Sequence, residues 1–163
     1  MCGSVLTYHR REKGWLSTVE DGEFVSGPIT VVCTGKNLPA SLLQQGDDVP
    51  DRPRDLFIEA PLHELDTTYA DAPSTLAPMV NAQFRALFGG KPIPASGLNT
   101  EQKELLRETI DSVHDRNMLI RIWDTPAWPP STRNAVWRDL VEAGVDLLNV
   151  DEIREAAGLT INW

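Results

Sequence analysis

The chain is poor in the residues that mark several functional classes. Its 163 residues include two cysteines and three histidines. Cys2 lies near the start and Cys33 inside an apolar run, a spacing that fits neither a zinc site nor a disulfide framework. Cys33 reads as a small hydrophobe. No apolar run approaches the roughly 18 residues that a membrane-spanning helix needs. The opening segment turns charged at His9-Arg10-Arg11-Glu12-Lys13 and lacks the apolar core of a signal peptide. A soluble chain without an export signal is therefore expected. Basic residues are also scarce, with 15 Lys and Arg against 24 Asp and Glu. The formal net charge of −9 disfavours nucleic acid and anionic membrane surfaces as partners, though not a single phosphate in a locally positive pocket.

What is present is ordinary globular material, 41% hydrophobic and 24% charged, in a length that suits one domain. Pro28 to Thr34 is β-branched and apolar, as a strand covered on both faces should be. A short helix is expected over Leu38 to Gln45, then a polar loop and a second strand, Asp55 to Ala60, stopped by Pro61. Tyr69 to Pro78 reads as loop and Met79 to Phe84 as a short strand. Thr100 is placed as an N-cap for a helix whose Leu106, Ile110 and Val113 share one face. Strand Met118 to Trp123 follows. Ser131 is expected to cap a helix burying Val136, Leu140 and Ala143, with Gly144 ending it. Val145 to Val150 forms the last strand. This alternation implies one α/β domain with about five parallel strands.

The run Arg121-Ile122-Trp123-Asp124-Thr125-Pro126-Ala127-Trp128-Pro129-Pro130-Ser131-Thr132-Arg133, with Val136-Trp137 and Gly144 to Asp151, resembles the C-terminal end of the Altered inheritance of mitochondria protein 6 family. Gly27 to Gly35 and Asp55 to Leu62 resemble that family's middle strands. The resemblance places the chain among the phospholipase C-like and glycerophosphodiester phosphodiesterase-like proteins. It implies the C-terminal part of a TIM-type (β/α)8 barrel, with residues 1–163 as a single partial domain. It also implies hydrolysis of phosphodiesters, lipid or glycerophosphodiester, by paired histidines and a divalent metal, Mg or Ca, held by carboxylates. In that family the early His-Asn-Asp or His-Arg-type motif, the Glu-x-Asp pair and the second histidine come from the first strands, and none of His9, His63 and His114 stands in such a context here. A closed eight-stranded barrel usually needs about 200 residues, so an incomplete barrel with open edges, prone to self-association, is expected.

In β/α barrels the carboxyl ends of the strands face the active site. By that rule the substrate-binding candidates are Trp123, Asp124, Glu59, Lys36 and Asn149. Trp123 is either pocket wall or plain core. Asp124 either orients substrate or starts the turn before Pro126. Glu59, inside an apolar strand, must face the cleft or pair with a cation, because an unpaired buried charge is costly. Lys36, after Gly35, can meet a phosphate or sit solvated in its loop. Asn149 and Asp151 can bind sugar or glycerol hydroxyls, unless Asp151 simply caps a helix over Glu152 to Ala157. Arg121, between Ile120 and Ile122, points into the barrel or pairs with a carboxylate. His114 reads as structural, and His9 and His63 as exposed.

Two functions are weighed. One is the back half of a phosphodiesterase barrel that supplies substrate contacts but neither catalytic residues nor metal ligands, so that the chain alone is expected to be inactive. The other is a non-catalytic truncated barrel acting as a binding or interaction module. A small flavodoxin-like sheet fits the periodicity but lacks a glycine-rich phosphate loop after its first strand.

Overall fold

The computed structural model describes residues 14–35 and 54–158. An antiparallel hairpin of β1 (Thr18–Glu20) and β2 (Glu23–Val25) comes first. Its turn is Asp21-Gly22, both at positive φ, 52° and 80°. That dipeptide is a strong two-residue hairpin signal, and the sequence reading above missed it. The main sheet is five-stranded and parallel, in the order β3 (Val32–Cys33), β4 (Phe57–Pro61), β5 (Met79–Gln83), β6 (Leu119–Trp123) and β7 (Leu147–Leu148). It curls as half a barrel. Among the described residues, β3 and β7 each keep one unpaired edge.

Period-2 alternation gives the sheet two unlike faces. Ile58, Ala60, Val80, Ala82, Ile120 and Ile122 are at most 2% exposed and form the outer, helix-covered face. Against them pack Leu106, Ile110 and Val113 of α2 (Thr100–His114) and Val136 and Leu140 of α3 (Pro130–Glu142). Two short helices complete the set, α1 (Phe84–Leu87) and α4 (Ile153–Ala157). The inner face carries Glu59, Asn81, Gln83, Arg121 and Trp123, and is polar toward the strand ends. At its opposite end Phe57 is fully buried, under Phe24 at 5.7 Å and the Arg54 guanidinium at 5.7 Å. Arg54 also donates to the Thr75 carbonyl at 2.6 Å, and burial lowers its pKa. The hairpin thus closes the amino end of the inner face.

Several expectations are corrected. The strand read over Pro28 to Thr34 is paired as a ladder only at Val32–Cys33, and these residues are half-buried as befits an edge. Asn99, not Thr100, caps α2: its Oδ1 accepts from Gln102 N at 2.9 Å while Gln102 Oε1 accepts from Asn99 N at 3.0 Å. This reciprocal box satisfies two otherwise orphaned donors. Ser131 does not cap α3, which starts at Pro130 with Pro129 as its N-cap and uses the fixed φ of proline. Asp151 does not cap α4, whose N-cap is Glu152. The final strand shrinks to Leu147–Leu148. The helix expected over Leu38 to Gln45 lies outside the described residues.

One carboxylate holds the α1–α2 connector to α3. Asp139, 8% exposed, accepts from Leu98 N at 2.6 Å and from Lys103 Nζ at 2.6 Å. Gly97 sits at φ 104°, and a Cβ there would stand 2.4 Å from Asp139 Oδ2. Asp139→Ala, which abandons the Leu98 amide and the lysine, should cost about 2–3 kcal/mol in urea unfolding. Gly97→Ala should cost about 1–3 kcal/mol through its φ and the clash; an unchanged midpoint for either would refute this staple.

Tyr69 is 4% exposed, and burial first, then the charges of Glu64 and Glu59, raise its pKa. The folded chain therefore keeps this phenol protonated at pH values where the unfolded chain has released it. Above about pH 10, the ordinary tyrosine value, the unfolded state binds fewer protons and stability falls as pH rises. Tyr69→Phe should flatten that alkaline fall, measured as urea midpoints across pH 9 to 11 (roughly one unit either side of the ordinary value).

Candidate functional site

The site grows from β4, β5 and β6, whose inner-face residues converge at the carboxyl ends of the strands. Glu59 is 4% exposed although it is charged. Its Oε1 accepts from Gly35 N at 3.1 Å, just past β3, and from Asn81 Nδ2 at 3.2 Å on β5. Its Oε2 faces Arg121 Nη1 at 3.7 Å. That separation is an ion pair rather than a hydrogen bond. The other arm of Arg121, Nη2, donates to Asn149 Oδ1 at 2.6 Å, beyond the end of β7. One guanidinium on β6 therefore bridges β4, two strands away, and the end of β7.

Both expectations for Glu59 and Arg121 hold together: the carboxylate pairs with a cation, and that cation lies on the inner face. Asn149, a candidate for binding hydroxyls, joins them through Arg121. Trp123 ends β6 on the same face, in register with Gln83, and is half-buried rather than core. Asp124 is exposed, at φ 60°, and its Oδ2 accepts from Gln83 Nε2 at 3.0 Å. A left-handed aspartate is uncommon but tolerated, and here it turns the chain away from the sheet. Lys36 and His9 lie outside the described residues. Asn81 and Gln83 were missed, although the alternation in Met79-Val80-Asn81-Ala82-Gln83 carries the signal: two polar residues on one face of an apolar strand.

Two buried acceptors, Glu59 Oε2 and Asn81 Oδ1, have no hydrogen-bond partner among the described residues. Asn81 cannot relieve this by flipping its amide, which would turn its oxygen toward Glu59 Oε1. The histidines are elsewhere. His114 Nε2 meets Asp146 Oδ2 at 2.9 Å, and the same oxygen accepts from Ile120 N at 2.8 Å, at the amino ends of β6 and β7. It is structural, as expected. His63 follows β4, with its side chain 80% exposed and Glu64 at 3.4 Å.

The metal implied by the resemblance does not fit these residues alone. Among the described residues, no three His, Cys, Asp or Glu side chains come together as a cation site. Mg and Ca take about six to eight oxygen ligands, whereas at this end Glu59 already faces a guanidinium and Asp124 is engaged by Gln83. None of the described helices is long and apolar enough to cross a membrane.

The chain is similar to the Altered inheritance of mitochondria protein 6 proteins of fungi. It is 32% identical to the homolog of that name from Arthroderma benhamiae over 150 residues, 91% of this chain and 45% of the relative. With the protein from Eremothecium gossypii the identity is 35% over 136 residues, 80% and 34% of the two chains. With that from Candida glabrata it is 29% over 147 residues, 85% and 36%. The chain thus spans between a third and just under half the length of these relatives. No protein-family profile matches it. No solved structure matches it either.

The bridge makes a thermodynamic prediction. Arg121→Met leaves Glu59 buried without its cation and should cost about 2–4 kcal/mol. The double variant Glu59→Gln with Arg121→Met should recover part of that loss. Additive single losses in urea unfolding would show that the two side chains are not coupled.

Proposed function

We propose that this chain belongs to the Altered inheritance of mitochondria protein 6 family and forms the rear half of a phospholipase C-like phosphodiesterase barrel. In this role it supplies a wall that orients a phosphodiester head group, lipid or glycerophosphodiester. The observation that carries the reading is Arg121. Its side chain is 30% exposed, fixed on both flanks, and set at the carboxyl end of a parallel sheet, where β/α enzymes place their sites. A guanidinium held in that way retains donors for a phosphoryl oxygen and loses little freedom on binding. Trp123 stands beside it as an apolar wall, and Gln83 with Asp124 closes the rim.

The reaction would be attack on phosphorus by water or a substrate hydroxyl, with a proton taken from the nucleophile and another given to the leaving oxygen. Acid, base and metal ligands are assigned in this proposal to residues beyond the site described above. A divalent metal, when bound, would neutralise charge that develops on the phosphoryl oxygens. The residues described here position and do not transfer protons. Self-association through the free edges of β3 and β7 belongs to the same reading, since Leu119 and Leu147, on the inner face of β6 and β7, are 47% and 42% exposed.

The purified chain should bind sn-glycerol 3-phosphate in calorimetry, with affinity falling about tenfold in Arg121→Lys, which keeps the charge but not the fork. It should not turn over glycerophosphocholine with Mg or Ca. Turnover that survives purification to homogeneity would overturn the division of labour. Absence of glycerol phosphate binding would overturn the wall and favour a module that recognises another partner.

A further inference from the structure

The two outermost strands of the sheet differ from the three between them in a way that points to a missing neighbour. Pro28 to Thr34 carries the β-branched run of a strand covered on both faces, and Val145 to Val150 reads as a full strand. Their ladders nevertheless reach only two residues each, Val32–Cys33 and Leu147–Leu148, against five in each of β4, β5 and β6. Among the described residues, β3 and β7 are the strands of this sheet with a neighbour on one side alone. We infer that a second copy of this chain supplies both missing neighbours, in a two-fold dimer that closes the barrel. Resting on the partial-barrel reading above, this pairing gives the open edges one occupant and one symmetry.

Exposed apolar surface gathers on the same two flanks. Trp15, Phe24, Val25 and Ile29, on and beside the hairpin, and Leu119 and Leu147, on the inner face of β6 and β7, are each 42% to 48% exposed. The inner face between them is covered, with Phe57 and Met79 buried. The hairpin accounts for the difference: it shelters Phe57 of β4 but leaves Leu119 of β6 open. Because all five strands are parallel, the two free edges are complementary rather than alike. The sheet curls as half a barrel. A two-fold axis along that barrel sets β7 of each copy beside β3 of the other and keeps every strand parallel. Both seams then form at once, and no edge is left to recruit further chains. The same rotation turns the two inner faces toward each other, so the hairpin of each copy meets the leucine flank of the other. The six side chains together hold about 500 Å² of exposed surface per copy, hence about 1,000 Å² in the pair before the seams are counted, which reaches the size of a specific interface. Pairing β7 with β7 is the poorer fit, because it leaves both β3 edges and both hairpins bare. The two-fold arrangement also brings two Arg121 arrays to one mouth, so each copy gives the other's wall its opposite side.

Sedimentation velocity of the purified chain across a concentration series tests this. The hairpin tip is acidic, with Glu20, Asp21 and Glu23, and the chain's net charge is −9. The runs are therefore made in about 0.5 M salt, where the screening length is only a few ångströms. A discrete species of twice the chain mass is expected, with nothing larger. Val25→Glu on the hairpin and Leu147→Glu on β7 should each raise the dissociation constant about tenfold or more, because every seam joins one flank of each kind. Both side chains are already half exposed, and circular dichroism matching that of the native chain distinguishes dissociation from unfolding. A monomer at every concentration, an open-ended series of larger species, or a dimer that only one of the two variants weakens would overturn the two-fold closure. Sedimentation is measured without ligand, so a failed dimer and a failed glycerol phosphate wall at Arg121 are told apart.

Discussion

The carboxyl end of the sheet depends on one buried carboxylate. Glu59 sits on a strand whose neighbours Phe57, Ile58 and Ala60 are fully buried, and it can stay there only because three elements serve it. The amide of Gly35 reaches it from the end of β3, Asn81 from β5 and Arg121 from β6. Through Arg121 the requirement extends to Asn149 past β7. A charge that costs several kcal/mol to bury alone thereby sets the spacing of all five strand ends. The backbone ladder fixes register, but this polar array fixes which side chains meet at the open end.

The two faces of the sheet divide labour in consequence. The outer face is uniformly aliphatic and is sealed by α2 and α3, so cohesion concentrates there. The two ends of the inner face are treated differently. The amino end is shut by Phe24, Phe57 and Arg54, while His114 and Asp146 tie the nearby starts of β6 and β7. The carboxyl end carries the polar groups. A fold arranged in this way keeps two unsatisfied acceptors, the half-buried Arg121 guanidinium and the left-handed Asp124 at one pole, where strain and incomplete pairing can serve a ligand.

Much of this arrangement was legible in the residues. The apolar face of α2 and the strands ending at Pro61 and Trp123 follow from period and punctuation. Glu59 was identifiable because a lone carboxylate in an apolar strand demands a partner. The partner's identity was not, since it lies 62 positions along the chain, and sequence spacing says nothing of that separation until the strand order is known. Asn99 hid as a cap because Thr100 is an equally good capping residue one position later. The hairpin was overlooked because its strands are three residues each, too short for alternation to stand out, although Asp21-Gly22 marks the turn plainly.

The choice of arginine at position 121 sharpens the link between fold and proposed function. Its side chain must reach a carboxylate on one side and an amide oxygen on the other while spanning the middle of a curled sheet. Lysine can offer one compact charge to one of those partners, whereas the planar guanidinium offers donors in opposite directions. Both flanks being engaged, the group cannot swing freely. Under the proposed function, the same geometry that makes Glu59 tolerable in the interior holds the cation ready for an anionic guest. On that proposal, structural compensation and ligand recognition become two consequences of one side chain, and altering either partner changes both.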